Sequence, residues 1–329
     1  MRRRRLLQIT AALAVTLPLP GSAAPPPLVR WRGAVLGAEA TIALAHRDEA
    51  AARRLITGCV DEARRLEAVF SLYRPDSAIN RLNRTGSLIA PPLDLVRCLL
   101  EARRVSAATG GAFDATVQPL WRLYADHFAA PGADPAGPDP AAVAGALALV
   151  GWRGVTVGAD EVRLERPGMA LSLNGIAQGF ITDAVAERLR AEGATDVLVD
   201  LGEVRGLGSR PDGGPWRVGV AAPGGRLETV ALRGSALATS SPLGTFFDPA
   251  RRFHHLLDPH TGRPAGNARQ VSVAAASAAR ADALSTAFAV LPQEALPAAV
   301  RAWPGTAAFV VGKDGAARWL TGAGPVRSG

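Results

Sequence analysis

Two kinds of apolar spacing alternate along this chain, and their order constrains its fold more than any other feature of the sequence. Apolar residues at steps of three and four, such as Leu55, Cys59, Ala63 and Leu66, predict helices in the first half. Short extended segments become frequent after residue 197 and predict strands. The pattern favours an α+β fold in which helices pack on mixed sheets in two lobes. Strands are expected at 35–44, 155–157, 162–164, 197–201, 216–220, 227–232, 255–257, 271–275, 307–311 and 316–320, and helices at 48–70, 92–109, after Asp139-Pro140, and at 176–192, 279–290 and 293–302.

The N-terminus has the composition of an export signal. Arg2–Arg5 precede an apolar stretch at 6–19, and small residues follow at 20–24. The stretch is too short and interrupted to span a membrane, and it has no cysteine for lipid attachment. We therefore predict a signal peptide at 1–23 and a single two-lobed domain at 24–329. The mature protein is expected to be periplasmic and not lipid-anchored, exported by either the Sec or the twin-arginine route.

The excess of positive charge does not indicate nucleic-acid binding. The formal net charge is +8, and subtracting the four arginines of the predicted leader leaves +4. Lys313 is the only lysine among the 37 basic residues, so the bias belongs to the composition as a whole and not to a basic patch. We expect no nucleic-acid partner.

The two cysteines leave one question open. Cys59 and Cys98 both lie among helix-spaced apolar residues. In an oxidising compartment they could form a disulfide, and two buried free thiols are equally compatible with this pattern.

Asp282 and Thr286 are separated by one helical turn. The step of four places a carboxylate and a hydroxyl on one face, and both are oxygen ligands suited to Mg²⁺. An acid favoured by the helix dipole and a threonine bonded backward to a carbonyl explain the same pair. A second segment, 174–180, joins a strand to a helix through Gly175 and Gly179, where free N–H groups would attract phosphate. Simple strand-to-helix punctuation also explains these glycines.

Three of the five histidines, His254, His255 and His260, lie close together and at first suggest a zinc site. The Asp-Pro and Thr-Gly pairs around His260 are instead typical of a tight turn, which Asp258 would cap. In a strand, His254 and His255 would point to opposite faces and could not bind one metal. At most one of these two is expected to be functional.

Seven short segments, taken in order, resemble the ApbE-like FAD:protein FMN transferases, and the resemblance spans about 32–303. No single segment is specific to this family, but the occurrence of all seven in this order is. The segments are Leu36-Gly37; Phe70-Ser71-Leu72-Tyr73 with Ser77 and Asn83; Gly111-Ala112-Phe113-Asp114 with Val117 and Pro119-Leu120; 175–180 with Asp183; Ala238-Thr239-Ser240; 255–259 with Thr261-Gly262 and Pro264; and 281–286.

The resemblance implies a two-lobed ApbE-like fold and an exported enzyme with Mg²⁺ as cofactor and FAD as substrate. Such an enzyme joins the FMN half of FAD to a threonine hydroxyl of a membrane or exported redox protein and releases AMP. By position, Tyr73 would stack on the isoalloxazine ring. His255 and Asp282 would be catalytic, with His255 handling a proton or contacting phosphate. The FAD site implied is Leu36, Tyr73, Ala112, Phe113, Asp114, Asn174, Phe180 and Leu256, and the metal site is the Ala177 carbonyl, Asp282 and Thr286 with Ser285 nearby.

Three positions depart from the family pattern. Gln178 stands where a lysine is common, Ser172 where an aspartate often precedes the glycines, and Glu203-Val204 where a second glycine and an asparagine or aspartate are usual. Each departure removes or moves a charge near the implied site. Two alternatives therefore stand beside protein flavinylation: a Mg²⁺-dependent FAD pyrophosphatase, in which water replaces the threonine, and a non-catalytic exported flavin-binding protein.

Overall fold

The structure, a computed structural model, describes residues 25–35, 38–221, 225 and 227–322, so the predicted leader lies outside the described residues. Most of the described helices lie in the first 191 residues and most of the described strands follow them, which confirms the predicted α+β class. The helices are α1 (Glu49–Phe70), α2 (Ala78–Thr85), α3 (Leu93–Ala108), α4 (Gln118–Ala129), α5 (Pro140–Leu147), α6 (Ala177–Ala191), α7 (Ala278–Val290) and α8 (Leu296–Arg301). The strands are β1 (Leu28–Val35), β2 (Ala38–Ala45), β3 (Ser87–Ile89), β4 (Val155–Val157), β5 (Glu161–Leu164), β6 (Val197–Asp200), β7 (Val204–Leu207), β8 (Trp216–Ala221), β9 (Leu227–Leu232), β10 (Ser235–Ser240), β11 (Ala268–Ala275), β12 (Ala307–Gly312) and β13 (Ala317–Thr321).

An eight-stranded antiparallel sheet forms the centre of the molecule, in the order β1-β2-β6-β7-β10-β11-β12-β13. Thr41 of β2 lies opposite Asp200 of β6, so the N-terminal hairpin joins a strand from the middle of the chain. A three-stranded sheet, β3-β5-β4, and the β8-β9 hairpin complete the described strands.

The two faces of the main sheet are covered differently because strand residues alternate in direction. Helices α1, α6 and α7 pack on one face, where Val199 of β6 and Val273 of β11 point into the larger core. On the other face the β8-β9 hairpin packs its Trp216 against Leu198 and Phe309. The helix-bearing face carries the candidate site.

The predicted helix stripes are confirmed in α1 and α3. Asp48 caps α1 by accepting a hydrogen bond from the Ala51 N–H at 3.0 Å. The steps of three and four place Cys59 and Leu66 of α1 and Leu95 and Leu99 of α3 in the core. None of the described helices is long and apolar enough to cross a bilayer.

Two strand predictions are wrong, and several strands were not predicted. The segment 35–44 is not one strand, because β1 ends at Val35 and β2 begins at Ala38. The segment 255–257 is irregular and forms only isolated bridges, such as Leu257 with Pro264. Strands β1, β7 and β10 were missed because charged, glycine or small hydroxyl residues interrupt their apolar alternation.

Both cysteines are buried free thiols and form no disulfide. Burial raises the pKa of Cys59 to about 12 and the pKa of Cys98 well above its ordinary value. They therefore serve as small core residues. The domain boundaries at 24 and 329 stay a prediction.

Candidate active site

Helices α6 and α7 dock at very short range and bring the predicted metal ligands together. Gly179 of α6 lies against the start of α7 so closely that a Cβ there would overlap the Ala278 carbonyl. The Asp183 carboxylate accepts hydrogen bonds from two backbone N–H groups at the start of α7, at 2.8 and 2.9 Å. The Gly179 N–H donates to Asp282 Oδ2 at 3.1 Å. The Asp282 carboxylate therefore lies at the first turn of α6, which begins at Ala177.

Asp282 is a buried acid beside a second buried acid. Only 5% of Asp282 is exposed, and burial raises its pKa to about 7 although the Gly179 N–H opposes the shift. The pKa of Glu203 is raised well above its usual range by burial and by the charges of Asp282 and Asp200. Among the described residues, no Lys or Arg forms an ion pair with Asp282. Uncompensated buried carboxyls of this kind favour a bound cation or a retained proton.

Three hydroxyl groups surround the same helical turn. Ser240 of β10 lies with its Oγ 2.7 Å from Ser285 Oγ and 3.2 Å from Thr286 Oγ1. Ser285 Oγ in turn donates to the Asp282 carbonyl at 2.9 Å. The structure therefore places the predicted residues Asp282, Ser285 and Thr286 together and adds Ser240.

Gly175 lies in close contact with Thr286. A Cβ at this glycine would stand 2.9 Å from Thr286 Oγ1 and 3.3 Å from Phe113 Cε2. A carboxylate, a hydroxyl and a main-chain carbonyl are hard oxygen donors, and Mg²⁺ prefers such ligands while retaining waters. The residues present therefore fit Mg²⁺. No group of three or more His, Cys, Asp or Glu side chains in the described part of the chain is arranged to hold a metal.

A cavity adjoins this turn. It brings together four segments that are far apart in the sequence: the loop before α4, the segment before α6, the irregular segment after β10, and α7. Six predicted site residues line it, namely Ala112, Phe113, Asp114, His255, Leu256 and Thr286, together with Val117, Ser172, Leu257, Pro259 and Val290.

The hydrogen bonds of His255 define the protonation of its ring. Its Nδ1 lies 3.1 Å from the Thr245 carbonyl oxygen, which can only accept, so Nδ1 carries the proton. In the neutral ring Nε2 then has the lone pair. An aromatic cluster that includes Tyr124, Phe247 and Phe253 anchors the irregular segment that carries His255. The predicted turn is confirmed as well, since Asp258 accepts hydrogen bonds from His260 and from the Thr261 hydroxyl.

Asp114 lines the cavity, but its carboxylate is engaged within the protein. One oxygen accepts from the Thr116 N–H and hydroxyl, at 2.8 and 2.6 Å, and the other accepts from the Trp152 N–H at 2.9 Å. Burial raises the pKa of Asp114 although these bonds oppose the shift. The carboxylate therefore holds the loop that presents Ala112 and Phe113.

Three predicted FAD-binding residues, Tyr73, Asn174 and Phe180, are not among those that line the cavity. Tyr73 follows α1 and is 69% exposed, and Asn174 is exposed beside Ser172, whose Oγ accepts from its N–H. Phe180 packs edge-on against Phe70 at the end of α1, with 5.4 Å between ring centroids. Another predicted residue, Leu36, lies outside the described residues.

Two residues near Asp282 received no role from the sequence. Ser240 was noted only as part of a segment, and its partners lie 45 and 46 residues away, so no local spacing points to them. Glu203 was noted only as a departure from the family pattern. Gln178, another departure, lies with its amide against Gly202, where a Cβ would stand 2.6 Å from Nε2.

Comparisons with known proteins agree on one family. The sequence profile of the ApbE family matches residues 36–316. An FAD:protein FMN transferase from Treponema pallidum (strain Nichols) is 33% identical over 278 residues, which cover 75% of this chain and 74% of that protein. An FAD:protein FMN transferase from Vibrio cholerae serotype O1 is 30% identical over 296 residues, which cover 86% of this chain and 87% of that protein. The solved Pseudomonas stutzeri flavinyl transferase ApbE has a TM-score of 0.78 at 30% identity, covering 92% of this chain and 99% of that chain. The solved ApbE protein from Thermotoga maritima has a TM-score of 0.79 at 25% identity, and the match covers 89% of this chain and 96% of that chain.

Proposed function

The chain belongs to the ApbE family, and we propose that it joins the FMN half of FAD to a threonine hydroxyl of an exported or membrane redox protein and releases AMP. The resemblance noted in the sequence is thereby confirmed, and the chain is a transferase of the FAD:protein FMN class. One observation carries the finer proposal: the cavity lined by Phe113 and His255 is also lined by Thr286, which lies one helical turn from the buried Asp282.

The proposed reaction exchanges the phosphoanhydride bond of FAD for a phosphoester bond to the acceptor. The acceptor threonine oxygen attacks the FMN-side phosphorus of FAD, and the bond from that phosphorus to the AMP oxygen breaks. His255 accepts the threonine proton at Nε2, because its Nδ1 is already bonded to the Thr245 carbonyl. Apolar residues of the cavity, such as Phe113 and Leu256, orient the substrate and exclude water.

The chain's own oxygen atoms would hold the metal. Asp282 supplies the charged ligand, and the Thr286 hydroxyl and the Ala177 carbonyl supply neutral ones. Mg²⁺, when bound, would compensate the charge of the pyrophosphate during transfer. The proposed roles of Tyr73 and Phe180 place the flavin ring near the end of α1, where Phe180 contacts Phe70.

The proposed location rests on the leader alone. A signal peptide at 1–23 without a cysteine supports a periplasmic protein without a lipid anchor. Fractionation and intact-mass measurement of the mature protein test this, with an N-terminus near Ala24 expected. An intact Met1, or a product held tightly in the membrane fraction, would contradict it.

Flavin transfer itself is tested with purified mature protein, FAD, Mg²⁺ and a tagged extracytoplasmic redox domain that contains a threonine. In-gel flavin fluorescence of the acceptor together with released AMP supports the proposal. An acceptor in which that threonine is replaced by valine is the matched control and should stay dark. AMP with free FMN and no labelled acceptor would instead indicate an FAD pyrophosphatase. Binding of FAD without either product would indicate a non-catalytic flavin-binding protein.

A further inference from the structure

The three hydroxyl groups at α7 form a chain that ends at a main-chain carbonyl. Thr286 Oγ1 lies 3.2 Å from Ser240 Oγ, Ser240 Oγ lies 2.7 Å from Ser285 Oγ, and Ser285 Oγ lies 2.9 Å from the Asp282 carbonyl oxygen. Ser240 and Ser285 are buried. Each hydroxyl has one proton to donate and two lone pairs, so the protons in such a chain cannot be assigned independently.

The carbonyl at one end determines the direction of every bond. A carbonyl oxygen only accepts, so the Ser285 proton lies on its contact with Asp282. Ser240 must then supply the proton of the 2.7 Å contact with Ser285. Ser240 has no second proton, so Thr286 donates to Ser240 in the remaining contact.

We propose that Ser240 is a positioning residue, which turns the lone pairs of the Thr286 hydroxyl toward the cation site by accepting its proton. This inference rests on the proposed Mg²⁺ site. With its proton directed at Ser240, Thr286 keeps its lone pairs for the cavity that it lines. Without Ser240, the Thr286 hydroxyl would donate to a carbonyl one turn back in the helix, as mid-helix threonines commonly do, and its lone pairs would turn away.

A matched control is available on the same strand pair. Thr239, the residue before Ser240, points to the opposite face of the sheet and donates to Ser272 Oγ at 2.8 Å. Ser272→Ala therefore removes a buried hydroxyl, and the hydrogen bonds that it accepts from Thr239 and Gln270, close to Ser240 but on the face that does not carry α7.

The test measures Mn²⁺ affinity by electron paramagnetic resonance titration of the protein without FAD, because Mn²⁺ accepts the same hard oxygen ligands as Mg²⁺. Ser240→Ala should weaken Mn²⁺ binding about tenfold, the size of one net hydrogen bond, and Ser272→Ala should leave it within about twofold. In a Thr286→Val background, Ser240→Ala should have no further effect, since the hydroxyl that it orients is gone. The KM for Mg²⁺ should rise in Ser240→Ala while kcat at saturating Mg²⁺ stays near the parent value.

Several results would overturn the inference. Equal Mn²⁺ affinities in Ser240→Ala and Ser272→Ala would do so, as would an undiminished effect of Ser240→Ala in the Thr286→Val background. If Ser240→Ala does not fold, Ser240→Cys, whose thiol bonds weakly at nearly the same volume, takes its place with the same expected loss. A parent protein that binds Mn²⁺ but transfers no flavin refutes only the proposed function, and a parent that binds no Mn²⁺ refutes the metal site and this inference together.

Discussion

Gly175→Ala is the substitution that most directly tests the close contact between Gly175 and the Thr286 hydroxyl. The added Cβ would stand 2.9 Å from Thr286 Oγ1, where ordinary contacts begin at 3.4 Å, so one of the two atoms must move by about half an ångström. The Thr286 hydroxyl has little freedom to move, because it is hydrogen-bonded to Ser240, which is in turn hydrogen-bonded to the buried Ser285. On the other side Phe113 Cε2 is only 3.3 Å from the same Cβ.

The expected losses of activity and of stability follow from that displacement. A misplacement of about 1 Å in an active site lowers the rate by about a hundredfold, so half that distance predicts a loss of about tenfold. Crowding costs about 1–3 kcal/mol in a packed site, and the entropy lost by the unfolded chain on a Gly-to-Ala change offsets about 0.4–1 kcal/mol of this. The free energy of unfolding should therefore fall by no more than about 2.6 kcal/mol.

The assay compares AMP release, Mn²⁺ affinity and thermal unfolding in Gly175→Ala and the parent. Gly145→Ala is the control, because Gly145 lies in α5 and a Cβ there meets nothing within 4 Å. The control should keep parental activity. Parental AMP release and Mn²⁺ affinity in folded Gly175→Ala would refute the placement of the cation beside Thr286.

Three further changes probe the ring contact, the metal ligand and the titration of the site. Tyr73→Ala should weaken FAD binding several-fold in a fluorescence titration, since stacking contributes about 0.5–1.5 kcal/mol, and its exposure predicts little change in stability. Asp282→Ala should lower Mg²⁺-dependent AMP release at least about a hundredfold while FAD still binds. Burial raises the pKa of Asp282 to about 7, so the folded protein without metal retains a proton that the unfolded chain releases near pH 4. Its stability should therefore fall between about pH 4 and 7, by up to about 1.4 kcal/mol per pH unit, and Asp282→Asn should flatten this slope in urea titrations.

Each of these expectations has a contrary result. Unchanged FAD affinity in folded Tyr73→Ala would remove Tyr73 from the ring site. Near-parental AMP release by Asp282→Ala would mean that the metal lies elsewhere. A stability that rises between pH 5 and 7 in the metal-free protein, with the same profile in Asp282→Asn, would show that Asp282 is not the group that titrates.

The spacing of residues along the sequence correctly predicted helical faces, which depend on residues close together in the chain. The apolar stripes of α1 and α3 follow a helical period over their whole length, and the step of four from Asp282 to Thr286 correctly predicted one helical face. Strand β10 was missed because small and hydroxyl residues compose it, and its pairing with β7 and β11 supplies the stability that its composition does not.

The parts of the site that depend on tertiary contacts could not be predicted from periodicity. Ser240 reaches α7 only because β10 lies beneath that helix in the main sheet. The segment around His255 looks extended in sequence, but aromatic side chains hold it in place instead of a strand ladder. The resemblance to a known family placed His255 at the site, where no local pattern did.

The position of β2 beside β6 also affects how the chain acquires its structure. All of the first six helices lie between these two strands in the sequence, so β2 emerges long before the strand that pairs with its inner edge. Such distant pairings slow folding, and an unpaired strand edge is a template for aggregation. A nascent chain of this protein therefore carries an open edge at its N-terminal hairpin until Val197–Asp200 has been made, and fragments that stop earlier should aggregate where the full chain folds.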